Sequence, residues 1–444
     1  MQRSHTLLPR RHWLGQTLTR TATATAAATV LMLGGWTSAH AATTLSVLID
    51  GGPQTMAAMK AVAADFTAKN PDIKIELETR PGGGEGDNLI KTKLATGEMN
   101  DVFLYNAGSL FHALNPKRNL VDLTGEPSQA NVLDVFKGVV SAEGRSYGVP
   151  IQTAMGGGVL YNKKVYAKLK LSVPKTWAEF QKNNAAIKAA GGVAPVIQTF
   201  KDTWSSQLFV LGDFHNVATA VPTFAEGYTA NKAKYATTPA ALKSFQRQED
   251  VFKAGYLNKD FATAKYEDGL RMVAKGEGAH YPMLTFAIGG IAVNHKDELN
   301  DVGFFALPGD DAAKHGVTVW MPAGLYIPKA SKHVAEAKKF VAFVASVEGC
   351  NAQTRGTGPQ GPYMVKGCEL PASVPPAVAD LVAYFKPGAK STPALEYLSP
   401  VKGPSLEQFT VEVGSGLRKP ADAAALYDED VRKQAMQLGL AGWK

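Results

Sequence analysis

The chain has 444 residues, 45% hydrophobic and 19% charged, with 43 glycines and 25 prolines; this is globular composition and excludes collagen-like, coiled-coil and wholly disordered chains. The formal charge of +8 is concentrated at the start: residues 1–41 hold Arg3, Arg10, Arg11 and Arg20 and no acid, and beyond them 43 bases face 39 acids, too even a balance to argue for nucleic acid as a partner. No unbroken apolar run reaches the roughly 18–20 residues of a spanning helix, which argues against an integral membrane protein.

The first elements in chain order are an address. Residues 1–20 are basic, 21–36 are weakly apolar and rich in Ala and Thr, and Ala39-His40-Ala41 is an A-x-A pattern followed by Ala42. That is the order of a signal peptide and its cleavage site; a frayed N-terminal helix is the alternative. Arg10-Arg11-His12-Trp13-Leu14 also fits a twin-arginine pattern, with ordinary secretion open beside it. The mature chain is expected to start at Ala42 and to work outside the cytoplasm, in the periplasm.

From there the periodicity predicts a strand at 44–49, an amphipathic helix at 56–70 carrying Met56, Met59, Ala63 and Phe66 on one face, and a strand at 73–77. A Gly-rich loop at 80–86, a helix at about 88–96 and a strand at 101–105 complete a βαβαβ unit, the beginning of an open, mostly parallel sheet. The pattern restarts with strands at 148–151, 158–161 and 193–199 and helices at 164–169 and 177–190, the latter capped by Thr176. Helices are expected at 205–211, 239–254, 266–275, 286–294 and 334–346, and strands at 302–307 and 324–327. The expectation from these residues alone is two α/β halves in close contact.

Cys350 and Cys368 are the two cysteines of the chain. An even count in an exported protein reads as one disulfide; two buried free thiols are the alternative.

Several segments, taken in order, carry a family resemblance. They are NPDIKIEL (70–77), KLATGEMNDVFLYNAG (93–108), NLVDLT (119–124), YGVP (147–150) with LYNKKVY (160–166), VPKTWAEF (173–180), AKGEGAHYPM (274–283) and GLYIPKASKHVAEAKKFVAFVAS (324–346). The ordered set resembles the family 1 extracellular solute-binding proteins, the maltose-binding-protein class of receptors for carbohydrate ABC importers, and within it the glucose-type members. The resemblance implies an α/β, two-lobed periplasmic-binding-protein fold, with a mostly parallel sheet in each lobe and a multi-strand hinge. It implies lobe one at 43–150 plus 302–350 and lobe two at 151–301 plus 351–444, with crossings near 150–153, 286–302 and 346–355. It further implies a sugar ligand in the cleft, an ABC permease as membrane partner, a monomer, no cofactor and no nucleic acid.

A sugar presents hydroxyls around its ring and apolar C–H faces, so its site needs planar polar side chains and aromatic platforms. Ligands of open α/β sheets bind beyond the carboxyl ends of strands. That rule selects Asp50, the loop carrying Gly83 and Glu85, Asn106 and Gln152. Asp50 is equally a helix N-terminal acid, and Asn106 equally a turn residue. The resemblance places Trp204 at the cleft as a stacking platform, and Phe286 where relatives carry a stacking Trp. Trp320 is read as either cleft lining or core, and Trp177 as core. Arg355 is read as forking onto two hydroxyls or onto a neighbouring acid.

Two rival readings remain. One is a receptor for a phosphorylated or other anionic solute such as a glycerol phosphate, for which Arg80 and Arg355 would be central. The other is an exported carbohydrate-active enzyme, but no motif singles out a carboxylate pair for glycoside hydrolysis. The sequence lacks G-x-S-x-G and H-E-x-x-H, and no metal-ligand spacing is present. Binding without catalysis is the expectation.

Overall fold

The computed structural model describes residues 42–443. The predicted leader and its cleavage site lie outside the described residues. None of the described helices is long and apolar enough to cross a membrane.

The first strand, β1 (Thr43–Asp50), buries Leu45, Val47, Leu48 and Ile49, so both of its faces are covered. The helix α1 (Pro53–Lys69) starts on a proline, which fits the first turn because its missing N–H has no helical partner there. It lays Met59, Val62 and Phe66 against the sheet at helical spacing, and Asn70 ends it by turning its N–H back to the Phe66 carbonyl. Strand β2 (Ile73–Arg80) pairs with β1 along its whole length, so that Arg80 stands opposite Asp50. Helix α2 (Gly83–Thr96) begins inside the segment expected to be a loop. The glycines that suggested a loop serve close packing instead: a Cβ on Gly86 would lie 2.0 Å from the Pro81 carbonyl oxygen. Strand β3 (Val102–Tyr105) is buried throughout and pairs parallel to β1.

Two five- and six-stranded sheets organise the rest. The first runs in the order β2, β1, β3, Ala323–Tyr326, Gly148–Ile151. The second centres on Met155–Asn162, flanked by Gly278–Leu284 and then Ala194–Val196 on one side, and by Val302–Ala306 and Val317–Trp320 on the other, with Ser391–Pro393 at the edge. Each sheet mixes parallel and antiparallel pairs, so the two-lobed α/β arrangement is present but the sheets are not mostly parallel. The strands at 278–284 and 317–320 were not anticipated. Both are almost wholly buried, and such apolar runs carry no alternation to mark them.

The lobe boundaries need correcting. Residues 302–320 were expected in the first lobe, yet Val302–Ala306 and Val317–Trp320 pair with Met155–Asn162 in the second sheet. The chain returns to the first sheet at Met321–Pro322, not near 286–302. Residues 351–368 were assigned to the second lobe, but helix Val347–Thr357 packs on α1 and Val365 bridges to Val132. A continuous buried strand is compatible with either sheet, so its sequence does not say which one it joins.

Cys350 and Cys368 form a disulfide, with Cα atoms 6.1 Å apart and a sequence separation of 18. Closing a loop of this size contributes about 3 kcal/mol in the chain-entropy model. Reduction under native conditions, or Cys350→Ala with Cys368→Ala, should lower Tm by several degrees in calorimetry, with the reduced wild type matching the double variant.

His280 lies at the centre of the second lobe, fully buried, with its ring 2.7 Å from Tyr166 Oη and 2.8 Å from Asn184 Oδ1. Burial pushes its pKa down to about 3 from 6.5, against the Pro195 carbonyl that favours the charged ring. The unfolded chain therefore takes up this proton first, and stability is lost as pH falls from about 6.5 towards 3. Replacing it, His280→Gln, should flatten the fall of Tm across that interval; a slope equal to wild type would show that other groups set the acid limb.

Candidate functional site

Between the two sheets lies a cavity of about 490 Å³, within the range of small-molecule sites. One wall is made by the carboxyl ends of β1, β2 and β3 and the first turns of α1 and α2. The other comes from Trp204–Leu211, Lys265–Glu267, Leu284–Phe286 and the segment 396–407 of the second lobe. Asp50, Gly83, Asn106, Gln152, Trp204, Phe286 and Trp320 all line it.

Two expected residues do not. Glu85 is exposed on the first turn of α2, facing away from the cavity lining. Arg355 sits on helix Val347–Thr357, where its guanidinium is half-exposed and pairs with Asp65 of α1. Of its two open readings, the neighbouring acid is the one realised: helix packing turns this face outward.

Each lining residue has a local cause. Asp50 ends β1 and accepts from the Gly52 N–H (2.9 Å) and from Thr55 Oγ1 (3.1 Å), so its carboxylate is fixed at the start of α1. Gln152 sits on the first passage between the sheets at φ +74°, an unusual conformation for a side-chain-bearing residue. It is held there by Gln353 Oε1 on its N–H (2.7 Å) and by its own amide donating to Thr55 Oγ1 (3.1 Å). Trp320 is both core and lining: it is 5% exposed, and its ring lies so close to Gly157 that a Cβ there would be 2.4 Å away.

Three aromatic rings form the apolar wall. Trp204 and Tyr266 are 5.2 Å apart between centroids, Trp204 and Phe286 6.0 Å, and Tyr266 and Phe286 5.8 Å. Mutually tilted rings at these separations lock one another in place and offer a preformed surface to C–H faces. Trp177 lies elsewhere, packed against Phe180 beneath Arg247.

The Gly-rich segment is one place where the two lobes touch. The Gly84 N–H donates to Glu407 Oε1 at 3.0 Å, and a Cβ on Gly82 would stand 2.9 Å from Trp204 Nε1. Only a backbone without side chains approaches the opposite lobe this closely.

The lining is acidic. Asp50, Asp87, Asp202, Glu267, Glu396 and Glu407 face it, against Arg80, Lys265 and Lys402. Among the described residues only Glu396 of these six has an ion-pair partner, Lys402 at 2.9 Å. Burial raises the carboxyl pKa of Asp87, opposed chiefly by Arg80. Burial likewise raises that of Glu407, opposed chiefly by the Gly84 N–H. No group of His, Cys, Asp or Glu among the described residues has a metal-holding arrangement.

Sequence reasoning missed Gln54, Tyr266, Asp87, Glu396, Lys402 and Glu407. Gln54 lies four residues beyond Asp50, and a search extended through the first turn of α1 would have reached it. Tyr266 is signalled only by its place at a helix start. Glu407 and Lys402 had no signal, because they reach the cleft from the last tenth of the chain.

A two-lobed mixed sheet architecture with a polar and aromatic cavity between the lobes narrows the family, and residues 50–349 match the model of the bacterial extracellular solute-binding protein. This chain belongs to that family. It is similar to the multiple sugar-binding protein of Streptococcus mutans, 26% identical over 321 residues, 70% of this chain and 73% of that one. It is also similar to the diacetylchitobiose binding protein DasA of Streptomyces coelicolor, 25% identical over 415 residues, 90% of this chain and 91% of that one. Among solved structures, a chitin oligosaccharide binding protein superposes with a TM-score of 0.77 at 22% identity, covering 89% of this chain and 99% of that one. These solute-binding proteins share the fold, and the family is one of binding proteins.

Proposed function

We propose that this solute-binding protein is the exported sugar receptor of an ABC importer, binding a mono- or short oligosaccharide between its lobes and presenting it to a membrane permease. The observation that carries this reading is the preformed Trp204–Tyr266–Phe286 surface beside unpaired carboxylates in one cavity. Rings accept the C–H faces, and the carboxylates accept from hydroxyls whose burial without a partner would cost about 1–3 kcal/mol each. The two relatives named for sugars support it.

Ligand that touches both lobes favours their closed arrangement by its differential affinity. The Gly82–Gly84 contact with Trp204 and Glu407 is one place where closure is completed. If the leader directs export and is cleaved after Ala41, the N-terminal residue of the periplasmic protein should be Ala42.

Melts of the purified protein against mono-, di- and oligosaccharides, with glycerol phosphates as controls, test the reading. A selective rise of several degrees with a sugar that stays chemically unchanged supports it. Stabilisation by the anionic controls alone would overturn it, and consumption of the sugar would restore the enzyme reading. The six carboxylates against three cations weigh against an anionic solute.

A further inference from the structure

We propose that Glu407 caps helix α2 from across the cleft, and that with Tyr397 it makes the segment 396–407 a two-point clasp that holds the lobes together in the absence of sugar. The effect on affinity rests on the sugar reading above; the clasp itself is made of protein atoms alone.

Helix α2 starts without a side-chain cap of its own. Gly82 stands at its N-cap, where an Asn, Asp, Ser or Thr oxygen would accept from the N–H of the second or third helical residue. The acceptor comes instead from the second lobe, at a sequence separation of 323: Glu407 Oε1 accepts from the Gly84 N–H at 3.0 Å. The carboxylate spans the start of the helix, because a Cβ on Gly83 would stand 2.8 Å from Oε2 and one on Gly84 2.9 Å from Oε1. An oxygen acceptor here meets free N–H groups and faces the positive end of the helix dipole. The second lobe holds Glu407 in place. It lies in the first turn of helix Leu406–Gly414, and its carbonyl accepts from Ser206 Oγ at 3.1 Å.

The second point is Gly108 of the first lobe. It has φ +71°, and a Cβ there would be 2.4 Å from the Glu396 carbonyl oxygen and 2.7 Å from the Tyr397 ring. Tyr397 Oη also donates to the Met321 carbonyl at 3.1 Å. Between the two points the segment is anchored: Leu395, Val401 and Leu406 are buried in the second lobe, and the Ser405 N–H donates to Asp430 at 2.7 Å.

The cap exists only while the lobes are together, so it contributes to closure. A larger closed fraction tightens apparent binding in proportion. Glu407 therefore raises the affinity for every sugar by one factor and leaves their order unchanged. The competing use of this carboxylate is as a first-turn acid of its own helix, which would leave α2 indifferent to its loss.

Amide hydrogen exchange of the purified protein without sugar reads this directly. In Glu407→Ala the Gly84 amide should exchange about fivefold faster and the radius of gyration in small-angle scattering should rise, while strand Met155–Asn162 exchanges as in the wild type. Burial raises the Glu407 carboxyl pKa, so a neutral acceptor fits this place, and Glu407→Gln should return both readings to the wild-type value. Gly108→Ala drives a methyl group between the lobes without touching the second, and it should speed the same amide; this variant decides the matter if Glu407→Ala fails to fold. In titration calorimetry the Kd of each sugar bound should rise by one common factor in Glu407→Ala. Unchanged Gly84 exchange in folded Glu407→Ala would overturn the inference, and so would a loss of affinity confined to one sugar, which would make Glu407 a ligand contact. Faster exchange in a protein that binds no sugar would leave the clasp standing and overturn the sugar reading.

Discussion

Replacing Arg247 with methionine should destabilise the protein by about 3–5 kcal/mol, the largest single-residue effect expected outside the backbone. Its side chain is 2% exposed and lies between Asp213, to which it donates, and Asp310 at 3.4 Å, with its guanidinium 5.3 Å above the Trp177 ring. Asp213 is 1% exposed, and Asn216 is its other side-chain donor, at 2.6 Å. Burial pushes its pKa up to about 6, with Arg247 the main opposing influence. Removing the cation leaves a carboxylate that must either stay charged in an apolar setting or take up a proton. A raised folded-state pKa means stability is lost as pH rises through it. The deficit of Arg247→Met relative to wild type should therefore grow from pH 5 to pH 8 in denaturant titrations. Adding Asp213→Leu should recover most of it. An additive double variant would show that the pair is not coupled. The site is coupled to this pair through packing, because helix Pro239–Lys253, which carries Arg247, also packs on Leu208–Leu211 just after Trp204.

The second large effect concerns ligand. Trp204→Ala should weaken sugar binding by more than tenfold, on the order of 1.4 kcal/mol or more, with little change in the unliganded far-UV spectrum. The ring is partly buried, contacts Tyr266 and Phe286 and faces Gly82 across the cleft. Its loss removes a platform for the sugar and one of the contacts that completes closure. Titration calorimetry on the sugar found in the melts measures it. Unchanged affinity would remove Trp204 from the site. Phe286→Ala should cost less, since Tyr266 still covers that part of the wall.

Much of the architecture was legible in the residues. Helices 177–190 and 266–275 were expected at their observed bounds because capping and periodicity coincide there; Thr176 and Glu179 form a reciprocal capping box. The strand-end rule brought Asp50, Asn106 and Gln152 to one cavity, since the topology fixes where strand ends point. What escaped was decided by tertiary context. The lobe membership of Val302–Ala306 depends on which sheet offers an open edge. Arg355 faces Asp65 because of how two helices cross, which no spacing within one helix reveals. Gly84 and Glu407 become a pair only when two lobes meet.

The two sheets are interleaved along the chain, and this bears on how the protein is made. The strand Ala323–Tyr326 separates β3 from Gly148–Ile151, and Ser391–Pro393 closes the second sheet's edge. A ribosome that has released residues up to 300 has supplied most of both lobes, yet the first sheet would still be split in two with bare edges on either side of the gap. Contacts between residues so distant in sequence slow folding, because loop-closure entropy is lost before they form. The nascent chain therefore stays unfolded until nearly complete, with adhesive strand edges exposed. A secretory chaperone that binds extended apolar segments would find its client in this window, and a truncation ending before residue 323 should aggregate instead of yielding a stable half.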